Sequence, residues 1–182
     1  GDGLTFGITI LLLAMQNPII VAENAASLDW ITDGNYVLGV GLGYRPEEFE
    51  ALGVEFEQRV SRFEEAIPLI RRLWNEDSVT HHGKHFKVGG LGASIKPKRA
   101  GGPPIWVGGD VIAAVKRAAK LNCPWIAPPT MTFHEIAERV DVYRKASAGI
   151  SGNSVNEQPI IREVAIGKTK AEALRAARPA LL

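Results

Sequence analysis

The segment 35–44, Asn35-Tyr-Val-Leu-Gly-Val-Gly-Leu-Gly-Tyr44, limits the fold of this chain more than any other stretch. Tyr36, Val37, Leu38 and Val40 form an apolar run with aromatic and β-branched members, the pattern of a buried strand. The run passes into Gly39, Gly41 and Gly43, which remove side chains where a ligand or another backbone comes close. Arg45-Pro-Glu-Glu-Phe is polar and turn-like, and a helical period begins at Arg59. A buried strand that opens into a loop and then a helix is the βα unit of barrels and doubly wound sheets, whose sites lie at strand ends. The same glycines fit a tightly packed parallel strand without a ligand, and a lone glycine pattern is a weak signal, so both readings stand.

The rest of the chain repeats this unit. Apolar runs predict strands near 5–12, 36–42, 105–107, 125–127 and 160–166, the first of them fully buried. Asn17-Pro18 turns the chain into a helix over 19–31, which Gly34 ends. The stretch from the second strand to about Gln58 reads as loop. Over 59–74, Val60, Phe63, Ile67, Ile70 and Trp74 share one helical face, and Pro68 is expected to kink it or shift its register. Residues 78–88 alternate around a turn and predict a hairpin within an excursion, 78–104, that is rich in Gly, Pro and Lys. Helices follow over 111–121 and 133–146, the second opened by Thr132 with Glu135 in a capping box, then a polar loop over 147–158 and a last helix from Thr169. Strand–helix alternation predicts an α/β fold with a parallel sheet, in one domain over 1–182. Periodicity cannot choose between an open sheet and a barrel.

Composition narrows the function classes. The 182 residues are 46% hydrophobic and 23% charged with a net charge of +1, which gives no reason to expect nucleic acid or an anionic membrane as partner. The single cysteine, Cys123, cannot form an internal disulfide, and a reducing cytoplasmic setting is the expectation. Residues 8–14 are too few to span a bilayer and follow no basic segment, so they are not read as a signal peptide. The chain opens Gly1-Asp-Gly and stops inside a helical pattern, and the expectation is a piece of a longer protein.

Gly108-Gly109-Asp110 is a second candidate site. A strand ending in two glycines before a helix presents N–H groups suited to a phosphate. Alternatively, Asp110 caps those same groups, and its carboxylate turned inward would repel a phosphate. His81, His82 and His85 could share a hairpin face as metal ligands, but without a cysteine or carboxylate at fitting spacing the solvated hairpin is the expected reading. Lys96, Lys98 and Arg99 could steer an anion or belong to a solvated loop. His134 is expected on the surface, and Trp106 and Trp125 as core or pocket wall. The chain has no Gly-x-Ser-x-Gly elbow, Walker loop or His-Glu-x-x-His, and Gly39-x-Gly41-x-Gly43 lacks the dinucleotide spacing.

Thr5-Phe-Gly-Ile-Thr-Ile-Leu-Leu-Leu, Asn17-Pro18, Ala26-Ser-Leu-Asp29, the segment 34–44, Glu48-Phe49 with Gly53, Lys96-Pro97, and Pro103-Pro-Ile-Trp-Val-Gly-Gly109 with Ala118-Ala119 occur in an order that resembles the bacterial luciferase-like flavin-dependent monooxygenases. That superfamily includes alkanesulfonate monooxygenases and deazaflavin-dependent dehydrogenases. The resemblance covers nearly the whole chain. It implies a (β/α)8 TIM barrel, present here as a partial barrel of about five strands truncated at both ends. It places a non-prolyl cis peptide near Thr9 and Ile10 behind the flavin ring, Gly41, Leu42, Gly43 and Tyr44 beside the ring, and Gly108, Gly109 and the helix after them, with Asp110, at the cofactor phosphate.

The implied activity is oxidation of a small organic substrate with O2 and reduced FMN supplied by a separate reductase, or, with coenzyme F420, hydride transfer without O2. A relative that binds flavin or serves a structural role without catalysis is the reading from another class. The longer parent is expected to be a homo-oligomer. Three positions depart from the pattern. Cys123-Pro124-Trp125 stands where many relatives have Asp-Gly-Trp, Asp110 replaces Ser or Asn, and Tyr44 stands where some deazaflavin enzymes carry an acid. The Tyr44 departure speaks against a sugar-phosphate dehydrogenase. No general acid or base is nominated, because the family's early-strand histidine has no counterpart in these residues.

Overall fold

The computed structural model describes residues 3–150 and 158–181; most of the polar loop expected over 147–158 lies outside them. Four strands, β1 (Phe6–Leu12), β2 (Tyr36–Gly41), β5 (Ile105–Gly108) and β6 (Trp125–Ile126), form one parallel sheet in the order β1-β2-β5-β6. The register pairs Phe6 with Tyr36, Leu38 with Ile105 and Val107 with Trp125. Strands β3 (Val79–His82) and β4 (Lys87–Leu91) form the expected antiparallel hairpin apart from that sheet.

Helix α1 (Pro18–Ile31) starts where local chemistry requires. Asn17 Oδ1 accepts the Ile19 N–H at 2.9 Å, and Pro18 occupies the first turn, where no intrahelical donor is needed. Ala22, Ala25 and Ala26 on its buried face let it pack closely, and the Trp74 indole N–H of α3 (Arg59–Asn75) donates to the Ala22 carbonyl at 2.9 Å. Helix α3 buries Phe63, Ile67, Ile70 and Trp74 as its period predicts. It runs unbroken through Pro68, which lies on the exposed face where water can satisfy the carbonyl left without a partner. Helices α4 (Ile112–Lys120) and α5 (Phe133–Ser147) pack on each other; α5 carries the expected capping box between Thr132 and Glu135. Helix α6 (Lys170–Leu181) follows.

Three expectations are corrected. The first strand is not fully buried: Phe6, Ile8 and Ile10 are 52%, 39% and 37% exposed, because β1 is the edge of the described sheet. No strand forms over 160–166. Its pairing stops at a single bridge between Ala127 and Ile160, because Pro128 and Pro129 carry no N–H with which to extend the ladder. The loop before Gln58 contains a helix, α2 (Pro46–Ala51), and a 3-10 turn (Phe56–Gln58). Pro46 opens α2 with Glu47 and Glu48 in its first turn, and its Phe49 is fully buried.

Candidate functional site

The C-terminal ends of β1, β2 and β5 bring several of the candidates together. Thr9–Ile10 is a cis non-prolyl peptide, and the β1–β2 register shifts between Ile8 and Leu11. The Ile10 side chain reaches across the two neighbouring strands. A Cβ on Gly41 would meet its Cδ1 at 2.3 Å, and one on Gly108 would meet the same atom at 3.1 Å and Ile126 Cγ2 at 3.4 Å. A Cβ on Gly39 would stand 2.4 Å from the Ile8 carbonyl oxygen. Gly39 is therefore required by the close approach of the β1 backbone, and Gly41 leaves room for the end of the Ile10 side chain, which is the packing reading of the alternating glycines. Ile10 remains partly exposed, and with half-buried Leu42 it gives the strand ends an apolar surface.

Beyond β2, Gly43 has φ +82 and faces Phe49 of α2 and Met15, both within 3.3 Å of where its Cβ would be. Tyr44 turns to solvent, 84% exposed. Met15 belongs to the 3-10 turn after β1 (Leu13–Met15), and Arg62 Nε of α3 donates to the Ala14 carbonyl there at 2.9 Å.

Gly109 has φ +149, and a Cβ on it would stand 2.6 Å from Ala114 Cβ, so the β5–α4 turn needs glycine on both conformational and steric grounds. Asp110 is exposed and does not cap the helix. The N-cap is Val111, whose carbonyl takes the Ala114 N–H at 2.9 Å, and among the described residues no side chain bonds the first N–H groups of α4. The amide end that could receive an anion is thus left open. The Asp110 carbonyl accepts from Arg139 Nε at 3.4 Å, which sets a cation from α5 beside the turn.

Other sequence candidates have structural partners. His81 Nε2 lies 2.9 Å from Glu65, whose carboxylate also accepts the His85 and Phe86 N–H groups at 3.0 and 2.9 Å, and His85 Nε2 lies 2.8 Å from Ser61 Oγ. Burial pushes the Glu65 carboxyl up, but the hydrogen bonds from His81, His85 and Phe86 outweigh it and hold it below the usual carboxylate value. Burial also lowers His85, against the opposing pull of Glu65. Among the described residues no group of three or more His, Cys, Asp or Glu side chains could hold a metal ion. Lys96 donates to the Leu73 and Glu76 carbonyls, Lys98 pairs with Asp33, and Arg99 bonds Asp29 and Gly34, so all three fasten the excursion to α1 and α3. His134 is exposed, as expected. Burial pushes the Cys123 thiol up to about 11 despite the Arg71 guanidinium 3.1 Å away, which leaves it unreactive.

Two contributors were not legible beforehand. Trp125 is fully buried, but its indole N–H donates to the Gly109 carbonyl at 2.7 Å. Glu65 organises the hairpin turn, and Gly83 is glycine because a Cβ there would overlap Glu65 Oε1. No residue pattern singles out either role, since the partners are distant in sequence and mostly backbone groups.

The chain matches the luciferase-like monooxygenase family over residues 2–182. It is 28% identical over 170 residues to a phthiodiolone/phenolphthiodiolone dimycocerosates ketoreductase of Mycobacterium kansasii, an alignment covering 92% of this chain and 46% of that protein. Among solved structures it resembles the monooxygenase RslO1 of Streptomyces bottropensis with a TM-score of 0.84 at 22% identity, over 98% of this chain and 55% of the other. The FMN complex of the oxygenating constituent of 3,6-diketocamphane monooxygenase, a type II Baeyer-Villiger enzyme of Pseudomonas putida, superimposes with a TM-score of 0.79 at 20% identity, over 98% and 53%. An F420-dependent secondary alcohol dehydrogenase with an F420-acetone adduct gives 0.62 at 22% identity, over 78% and 46%. The chain spans about half the length of these proteins. Its parallel βα units are part of a TIM-barrel-type fold, and the chain belongs to the luciferase-like monooxygenase family of oxidoreductases.

Proposed function

We propose that this chain carries the cofactor-binding part of an oxidoreductase that takes reduced FMN and oxygenates a small organic substrate with O2. The observation that carries the reading is the convergence of Thr9-Ile10, Gly41 and Gly108 around one partly exposed isoleucine, beside a helix end that no side chain caps. The residues fit such a group. Three adjacent strands span about 10 Å at the usual ~4.8 Å spacing, enough for a flat fused ring. Ile10 and Leu42 would offer that ring apolar contact, Gly43 and Tyr44 would lie beside it, and Gly108, Gly109 and the first amides of α4, with Asp110, would hold the phosphate. Bound there, reduced FMN supplies the electrons that activate O2. The chain's own part is to seat the cofactor, keep water from its apolar face and orient the substrate. A separate flavin reductase and a homo-oligomeric parent are part of this reading.

A second reading is hydride transfer with coenzyme F420. It is favoured by the ketoreductase name of the curated relative and by the F420-dependent alcohol dehydrogenase. Those two proteins and the diketocamphane enzyme are all named for carbonyl chemistry or hold an acetone adduct, so we favour a ketone as substrate for either chemistry. The full-length protein is assayed with a ketone panel under two regimes: reduced FMN with O2 uptake recorded, and reduced F420 without oxygen with its reoxidation recorded. Substrate-dependent O2 uptake with oxygen inserted in the product supports the first reading. Anaerobic F420 turnover replaces it with the second, and neither by a folded, cofactor-loaded protein overturns both.

A further inference from the structure

The buried indole N–H of Trp125 needs a hydrogen-bond partner, and the one it takes lies in the turn before α4. Its Nε1–H donates to the Gly109 carbonyl at 2.7 Å, with the ring fully buried on β6 next to β5. The Trp125 backbone N–H is itself held by Gln158 Oε1 at 2.6 Å, so the strand that carries the indole is fixed at that point. A peptide unit is planar and trans, so its C=O and N–H point in opposite directions. Drawing the Gly109 carbonyl into the core therefore turns the Asp110 N–H outward, to the exposed side of the turn where α4 begins. Glycine restrains its own torsions least of all residues, and Gly109 at φ +149 leaves the following peptide free to rotate unless something holds it.

We propose that Trp125 is a positioning residue for the cofactor phosphate, and that its indole N–H fixes the Gly109–Asp110 peptide so that the Asp110 amide joins the open amides of α4 in facing the anion. This rests on the flavin-type reading above. It extends that reading by giving a role to a residue that touches neither the ring nor the phosphate. On this account Asp110 in place of Ser or Asn is compatible with the site, since the contribution comes from the backbone amide and not from the side chain.

The test compares FMN with riboflavin, which differ only at the phosphate, and F420 with its deazaflavin lacking the whole phosphate-linked tail. Full-length wild type and Trp125→Phe are titrated with FMN and riboflavin, and with F420 and its ribityl deazaflavin without the phosphate-linked tail, with melting curves to show that each is folded. The expected result is a loss of about tenfold in affinity for the phosphorylated form, the size of one well-placed hydrogen bond, with riboflavin affinity unchanged. Loss of both ligands in parallel, or of neither, overturns the proposal. Should Trp125→Phe fail to fold, Trp125 is replaced by its benzothiophene isostere, which keeps the shape and lacks only the N–H, and the same ratio decides. Wild type that binds none of the four ligands overturns the flavin-type reading itself.

Discussion

Replacing Gly41 with alanine tests the packing at the strand ends quantitatively. The new Cβ would stand 2.3 Å from Ile10 Cδ1, while the next atom of Ile10, Cγ1, would be at 3.5 Å, ordinary contact distance. The conflict is with one methyl group at the end of a flexible side chain, and relieving it takes Ile10 out of its present rotamer. Overpacking of this kind costs about 1–3 kcal/mol. Alanine recovers roughly 0.5–1 kcal/mol over glycine in a strand, for a net loss of about 1–2 kcal/mol. Ile10→Val removes Cδ1 and keeps Cγ1 and Cγ2. Alone it should lose only about 0.5 kcal/mol, the low end for this change, since Ile10 is 37% exposed. In that background Gly41→Ala should be neutral or slightly stabilising, a coupling of about 2 kcal/mol. Urea denaturation of the four proteins, with m-values checked for constancy, measures it. Additivity within about 0.5 kcal/mol would refute the placement of Ile10 over Gly41.

Three further outcomes follow from the same geometry. Gly39→Ala meets the Ile8 carbonyl oxygen at 2.4 Å, a backbone atom that cannot rotate away, so it should lose about 3 kcal/mol or more and gain nothing from Ile10→Val in the same urea assay. Thr132→Ala removes the α5 cap and should lose about 1 kcal/mol, read as a shift of the urea midpoint. The hairpin should loosen in acid. Glu65 is lowered in the folded state, so its contribution is full above the unfolded carboxylate value and is lost as pH falls through the folded one. His85 is also lowered, so the unfolded state takes up its proton first and stability declines as pH drops below about 6.5. Protection of the amides in residues 79–91, with exchange rates corrected for their intrinsic pH dependence, should therefore fall first below about pH 6.5 and again below about pH 4.3. Glu65→Gln should be fast throughout and lose the carboxylate part of that dependence; a pH-independent hairpin in wild type would contradict the assignment.

Much of the fold was legible because its signals are local. Asn17-Pro18 and Thr132 with Glu135 announce helix starts, and the face of α3 follows from spacing alone. The family pattern placed the cis peptide at Thr9–Ile10, which periodicity could not have done. What failed depended on neighbours. An apolar run reads the same on an edge strand as in a sheet centre, so the exposure of β1 was not visible. The run at 160–166 is strand-like, but two prolines just after the strand it should join stop pairing at one bridge. At the site, the glycines gave the positions, but whether they serve a ligand or a neighbouring strand depended on where the Ile8 carbonyl and the Ile10 side chain lie. The tether from Trp125 joins β6 to Gly109 in the β5–α4 turn, and composition carries no trace of it.

The central claim is that the ends of β1, β2 and β5 with the start of α4 seat a flavin-type cofactor. Fluorescence titration of the full-length protein with FMN and F420 side by side, oxidised and reduced, with Gly109→Asp as control, tests it most directly. Saturable binding of one cofactor, lost in the control whose side chain the Gly109 turn cannot hold, is the predicted result. A folded protein that binds neither, or binds equally well with aspartate at the turn, would contradict it.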